Sequence, residues 1–290
     1  MVDRMMIACA VDEPYAEMAG VMLRSLALNG DVRDIPVYLI GDGLSVETVE
    51  DLRACANDLH FQFIDLAAMR ESIGHLPVSF YNAAIYIRLL LADLIAGDGR
   101  MLYLDSDILI HRPIRELLQT PLEGNLAGAV IDGGKPQVHA MANARLGRTE
   151  DAPYFNSGVL MFDLQTWREH GIGHQCIRTA QARNDYWPDQ DALNIVLDGK
   201  IKPLHAKWNL FSTEPLPRDV CEAGHILHFI PDKPTSENCR HPMFEDYLAI
   251  RATTPWRDRP FTSSVRQRRV DQLARMVAER VRRKRIDPEA

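Results

Sequence analysis

Apolar residues arrive along this chain in two rhythms. Short, mainly apolar runs at Met5 to Val11, Ile35 to Ile40, His60 to Ile64, Met101 to Leu104, Ala127 to Ile131, Val159 to Phe162 and Ile201 to Leu204 are too brief for helices and predict strands. Between them, apolar positions recur at helical spacing. Tyr15 to Leu28, a segment capped by Ser45 and running to Ala56, Asn82 to Ile95, Leu164 to Glu169 capped by Asp163, and His174 to Asn184 are predicted helices. This alternation predicts an α/β fold with a mostly parallel central sheet flanked by helices. Ligands of such sheets lie beyond the carboxyl ends of strands, where Asp12 and Asp105 both fall. Residues 132–153 show little periodicity and read as an irregular substrate loop or lid.

At 290 residues, 46% of them hydrophobic, the chain can build a substantial core. Its net charge of −7 is unevenly spread: residues 266–285 hold nine Arg or Lys against Asp271 and Glu279, a local +7, so the remainder carries −14. The expected organisation is a globular body over 1–260 and a tail over 261–290. Within the tail, Val270, Leu273, Ala274, Val277 and Val281 fall on one helical stripe among arginines. No aromatic residue is interleaved there and the body is acidic, so nucleic acid is not an expected partner. Five scattered cysteines without metal or redox spacing, and no signal-peptide core, suggest a reducing, cytoplasmic setting.

The chemistry gathers at Asp105-Ser106-Asp107, directly after an apolar run. Two carboxylates one residue apart at a strand end repel, and a hard divalent cation such as Mn²⁺ or Mg²⁺ offsets that repulsion; a solvated turn is the plainer alternative. Arg88, in the middle of a helix apolar on nearly all sides, needs an anion, either a core carboxylate such as Asp105 or a ligand phosphate. Asn156 offers donor and acceptors beside Gly158, where a ligand can approach closely. Asp189 reads as a helix N-cap before Ala192 and Leu193. His228 sits in a strand-like run, and Lys233, fixed between Asp232 and Pro234, is a phosphate-binding candidate.

Taken in order, Ala10-Val11-Asp12, Tyr86-Ile87-Arg88, Leu102 to Asp107, Phe155-Asn156-Ser157-Gly158-Val159, Asp189-Gln190-Asp191, and His228 with Lys233 resemble glycosyltransferase family 8 over roughly Met5 to Pro234. That family includes bacterial lipooligosaccharide galactosyltransferases and the glycogenins. The resemblance implies a GT-A fold and transfer of galactose or glucose from a UDP-hexose to a saccharide or glycolipid acceptor, with retention. It implies Mn²⁺ held by Asp105, Asp107 and His228, uridine contacts from Ala10, Asp12 and Tyr15, and diphosphate contacts from Arg88 and Lys233, with Ser106 in the same donor-binding motif. Asn156, Asp189 and Gln190 would surround the donor sugar, the last two nearest the reaction; an amide is a poor nucleophile, which favours same-face attack, with Asp189 the spare carboxylate. The tail resembles basic extensions that associate with the inner membrane, and arginines near anionic headgroups contribute about 1 kcal/mol each. One departure stands out: after His228-Phe-Ile the family's glycine and one residue of spacing are missing, and Thr235 replaces a tryptophan. Competing readings are a UDP-sugar-binding protein without transfer and a self-glucosylating initiator.

Overall fold

The computed structural model describes residues 4–73, 84–183, 185, 187–212 and 214–261. The 266–285 tail and the predicted helix start at Asn82 lie outside them. Among the described residues nine strands form: β1 Met5–Asp12, β2 Pro36–Asp42, β3 His60–Asp65, β4 Arg100–Leu104, β5 Ile108–Ile110, β6 Ala127–Ile131, β7 Phe155–Asp163, β8 Ile201–Leu204 and β9 Ile226–His228. Seven make one sheet in the order β3-β2-β1-β4-β7-β6-β8, and β5 pairs with β9 alone. The strands of the large sheet run parallel except β7, which is antiparallel to both neighbours.

The apolar runs are continuous because both sheet faces are covered. Along β1, Ile7, Cys9 and Val11 join one core with Met22 and Leu26, while Met6, Ala8 and Ala10 join a second with Leu90, Tyr103 and Trp167. Helices Ala16–Asn29 and Val46–Cys55 cover the first face. Ala84–Leu94 and Ile172–Gln181 cover the other. Ser45 caps its helix as expected, accepting from the Thr48 N–H at 3.1 Å, and Asp163 accepts from Thr166 N–H at 2.8 Å.

The reversal of β7 positions the site. Val159 lies opposite Leu104, so residues 155–158 extend past the carboxyl end of β4. One antiparallel strand thus delivers its start to the rim where its parallel neighbours end.

Two expectations change. Residues 132–153 contain the helix Pro136–Leu146, opened by a proline in its first turn and closed by Gly147 at φ 74°. Its apolar Val138 and Met141 face solvent, so no buried stripe advertises it. Asp189 is not an N-cap: helix Pro188–Val196 is preceded by Trp187, and Asp189 sits in the first turn.

Candidate active site

β4 ends on Leu104, the Asp105 N–H donates to the Gly158 carbonyl at 2.8 Å, and the chain turns through Ser106 and Asp107 into β5. Antiparallel pairing of β5 with β9 sets Ile108 opposite His228, and the Phe229 N–H donates to the Asp107 carbonyl at 3.0 Å. This ribbon carries the imidazole to the acids. One ligand atom from each of Asp105, Asp107 and His228 lies within 4.8 Å of the others.

The surroundings suit a cation. His228 Nδ1 is 2.9 Å from Asn209 Oδ1, while Asn209 Nδ2 donates to Asn156 Oδ1 at 2.8 Å. With its amide group so committed, Asn209 offers only its oxygen to the ring, so Nδ1 donates to it and Nε2 is the atom that faces the acids, a donor to Asp107 when it bears a proton and a ligand atom when it does not. Gly158 keeps the space clear: a Cβ there would stand 2.4 Å from His228 Cε1 and 2.7 Å from Asp105 Oδ2. Two carboxylates and an imidazole form a donor set that fits Mn²⁺.

Cations already balance the carboxylates. Arg88 binds Asp105 with Nη2 at 2.8 Å, Asp189 with Nε at 3.1 Å, and the Ser157 hydroxyl with Nη1 at 2.8 Å. Its guanidinium also lies 4.7 Å from the ring centre of Tyr103, whose hydroxyl donates to Asp105 Oδ1 at 2.8 Å. Burial opposes the charge on Arg88, but Asp105, Tyr103 and Asp189 outweigh it and its pKa is raised. Asp107 meets His228 Nε2 at 3.1 Å through Oδ1 and the Lys233 ammonium through Oδ2. Burial pulls the Asp107 pKa up, yet Lys233 and His228 hold it far below the usual carboxylate range. Asp189 behaves oppositely: burial raises its pKa more than Arg88 lowers it.

Gln190 projects toward the start of β7 and accepts the Ser157 N–H at 3.0 Å. Asn156, beside it, accepts from Gly158 N–H at 2.9 Å and reaches toward Asp132 at 3.4 Å. Ala10 and Asp12 are buried along the end of β1, and Tyr15 is half-exposed in the turn that follows. Ser106 is buried between the two acids. Among the described residues, the acids, His228, Arg88, Lys233, Asn156, Asp189 and Gln190 form one connected cluster.

Sequence reasoning gave no site role to Tyr103, Asn209 or Tyr154, each of which orients a candidate residue, or to Asp191, which holds Tyr154. Tyr103 was hidden within the apolar run Met101 to Leu104, where its ring reads as core. Asn209 carries no local signal, because its partners are 53 and 19 residues distant.

The family model for glycosyl transferase family 8 matches residues 6–238. The chain belongs to that family. It is a glycosyltransferase of GT-A type. Among similar proteins, general stress protein A of Bacillus subtilis (strain 168) is 27% identical over 275 residues, covering 86% of this chain and 93% of that protein. Lipopolysaccharide 1,2-glucosyltransferase of Escherichia coli (strain K12) is 24% identical, covering 87% and 79%. The crystal structure of galactosyltransferase LgtC with donor and acceptor sugar analogs superposes with a TM-score of 0.69 at 22% identity, covering 87% of this chain and 98% of LgtC. Among the described residues, no helix of this family 8 chain is long and apolar enough to cross a membrane.

Proposed function

We propose that the chain transfers a hexose from a UDP-sugar to a saccharide acceptor, with retention at the anomeric carbon and a requirement for Mn²⁺, for which Mg²⁺ is the alternative. The observation that carries this is the grouping of Asp105, Asp107 and His228 within 4.8 Å at the rim where the strands end. The relative that acts as a lipopolysaccharide glucosyltransferase supports an acceptor in lipopolysaccharide or another surface glycan.

Asp105, Asp107 and His228 would hold the cation. When bound there it supplies positive charge to the diphosphate of the leaving UDP. The chain's own residues do the rest. Arg88 fixes Asp105 and Asp189 relative to each other, and Lys233, on the loop after β9, is a second cation available to the departing diphosphate. Ala10, Asp12 and Tyr15 would receive the uridine, Ser106 the donor beside the acids, and Asn156, Asp189 and Gln190 the sugar. Asp189 is engaged by Arg88 at 3.1 Å and Gln190 is an amide, so neither is a free nucleophile. Same-face attack by the acceptor, as UDP leaves, fits this better than a covalent intermediate. The basic 266–285 segment is read as a peripheral contact to an anionic membrane surface on the cytoplasmic side, where donor and acceptor meet.

UDP release from a panel of UDP-sugars, with and without Mn²⁺, tests the reading. Asp105 also restrains Arg88, so Asp107→Asn is the cleaner variant. Metal-dependent release from one donor, lost in Asp107→Asn with the melting temperature retained, is expected. Binding of UDP and Mn²⁺ without release from any donor, in the presence of saccharide acceptors, would replace the reading with a binding protein. A ladder of hexose additions in the intact mass would replace the acceptor with the chain itself.

A further inference from the structure

Gln190 is held at both ends by groups of known hydrogen-bond sense. At one end is the Ser157 backbone N–H, 3.0 Å from Oε1, which can only donate. At the other is the Tyr154 hydroxyl, 3.2 Å from Nε2. A hydroxyl has one proton, and Tyr154 lies 2.7 Å from Oδ1 of Asp191, a fully buried carboxylate that can only accept. The proton therefore goes to Asp191, and the phenol oxygen is left to accept from Gln190.

Asp191 is itself pinned. Its Oδ2 pairs with Arg145 at 2.8 Å and accepts the Trp187 N–H at 3.2 Å, and Arg145 belongs to the helix Pro136–Leu146. Asn194, one turn on, donates to the Gln190 carbonyl at 2.9 Å and accepts from Phe155 N–H at 2.8 Å, which locks that helix to β7. Every element around the amide is thus fixed by a partner on a different element.

We infer that Tyr154, held by Asp191, is the positioning residue that fixes the Gln190 amide with its NH₂ group as the available donor. Gln190 then meets the donor sugar as a hydrogen-bond donor, the second Nε2 proton being the one not committed to Tyr154. It serves neither as nucleophile nor as base. This rests on the donor-site reading above. It assigns to the Arg145–Asp191–Tyr154 chain the task of keeping the amide from flipping, a motion that would set two donors, NH₂ and the Ser157 N–H, against each other.

The test is a double-mutant cycle on the full chain, with the donor found by UDP release and saturating Mn²⁺. Tyr154→Phe is expected to lower kcat about tenfold, the scale of one lost orienting hydrogen bond, with donor KM within about twofold. In a Gln190→Ala background the same substitution should leave kcat unchanged, because Tyr154 acts through Gln190 alone. Asp191→Asn should repeat both results, and it keeps the test open if Tyr154→Phe folds poorly. An equal fall in kcat with and without Gln190, or a rise in donor KM alone, would overturn the proposal. A second readout needs no turnover: exchange of the Gln190 side-chain amide protons, followed by NMR, should be slow in the wild type and faster in Tyr154→Phe. Unchanged exchange rejects the role of Tyr154, whereas slow exchange in a protein that releases no UDP rejects only the donor reading.

Discussion

Lys233 and His228 hold opposite oxygens of one carboxylate: the ammonium lies against Asp107 Oδ2, while the imidazole Nε2 is 3.1 Å from Oδ1. A cation entering among Asp105, Asp107 and His228 meets a carboxylate that already has two partners. Lys233 also donates to the Phe229 carbonyl at 3.1 Å, which keeps it near β9. The diphosphate of a nucleotide would offer it a different anion.

The expected consequence is an increase in metal affinity on removing a positive charge. Lys233→Gln should bind Mn²⁺ alone about tenfold more tightly, the 1.4 kcal/mol scale of one partly buried charge pair, and should bind UDP in the presence of Mn²⁺ more weakly. Titration calorimetry with and without UDP measures both. Unchanged or weaker Mn²⁺ binding in the variant would show that Lys233 does not compete for Asp107.

Gly158 supplies a second, independent lever on the same cluster. Its Cα faces His228 and Asp105 so closely that Gly158→Ala must displace one of them. Metal affinity should fall about 10–100-fold, as it does when the groups orienting metal ligands are disturbed. The fold, held by β7 pairing on both sides, should persist. Mn²⁺ affinity equal to wild type would mean that the three residues are not the metal site.

The acids were legible in the sequence because an apolar strand ended on them, and Arg88 because a charge inside an apolar helix demands a partner; Asp105 and Asp189 are both that partner. The reversal of β7 was not legible, since a strand buried on both faces is apolar whichever way it runs. Yet that direction is what sets Asn156, Ser157 and Gly158 beside Asp105. The helix Pro136–Leu146 escaped because only Asn143 and Leu146 of its residues are buried, leaving a proline and Gly147 as its signals. Asp189 looked like a cap because acids favour helix starts; the buried guanidinium of Arg88 is a stronger claim on it than a backbone N–H.

Stability should be most sensitive where the C-terminal segment meets the first helix. A Cβ on Gly20 would stand 2.2 Å from a ring carbon of Trp256. Gly20→Ala is therefore expected to destabilise by about 1–3 kcal/mol, against the ~1 kcal/mol that alanine ordinarily gains in a helix interior. Combining it with Trp256→Leu should recover part of the loss, a non-additivity that denaturant titration would read. A Gly20→Ala variant as stable as wild type would show that this helix and Trp256 are not in contact.

His241 supplies an acid-sensitive term. Burial lowers its pKa from 6.5 to about 4, against a smaller opposing pull from Asp232. The ring packs 4.5 Å from Phe229 and its Nδ1 accepts the Met243 N–H at 3.1 Å. Above pH 6.5 the ring is neutral in folded and unfolded chains, and its contribution to stability is complete. As pH falls from 6.5 toward about 4, the unfolded chain takes up a proton that the folded chain refuses, so stability is lost across that window. His241→Asn keeps an acceptor for Met243 without the titration. Its melting temperature should start below wild type at pH 7.5 and the gap should narrow steadily on acidification; a gap independent of pH would show that His241 titrates alike in both states.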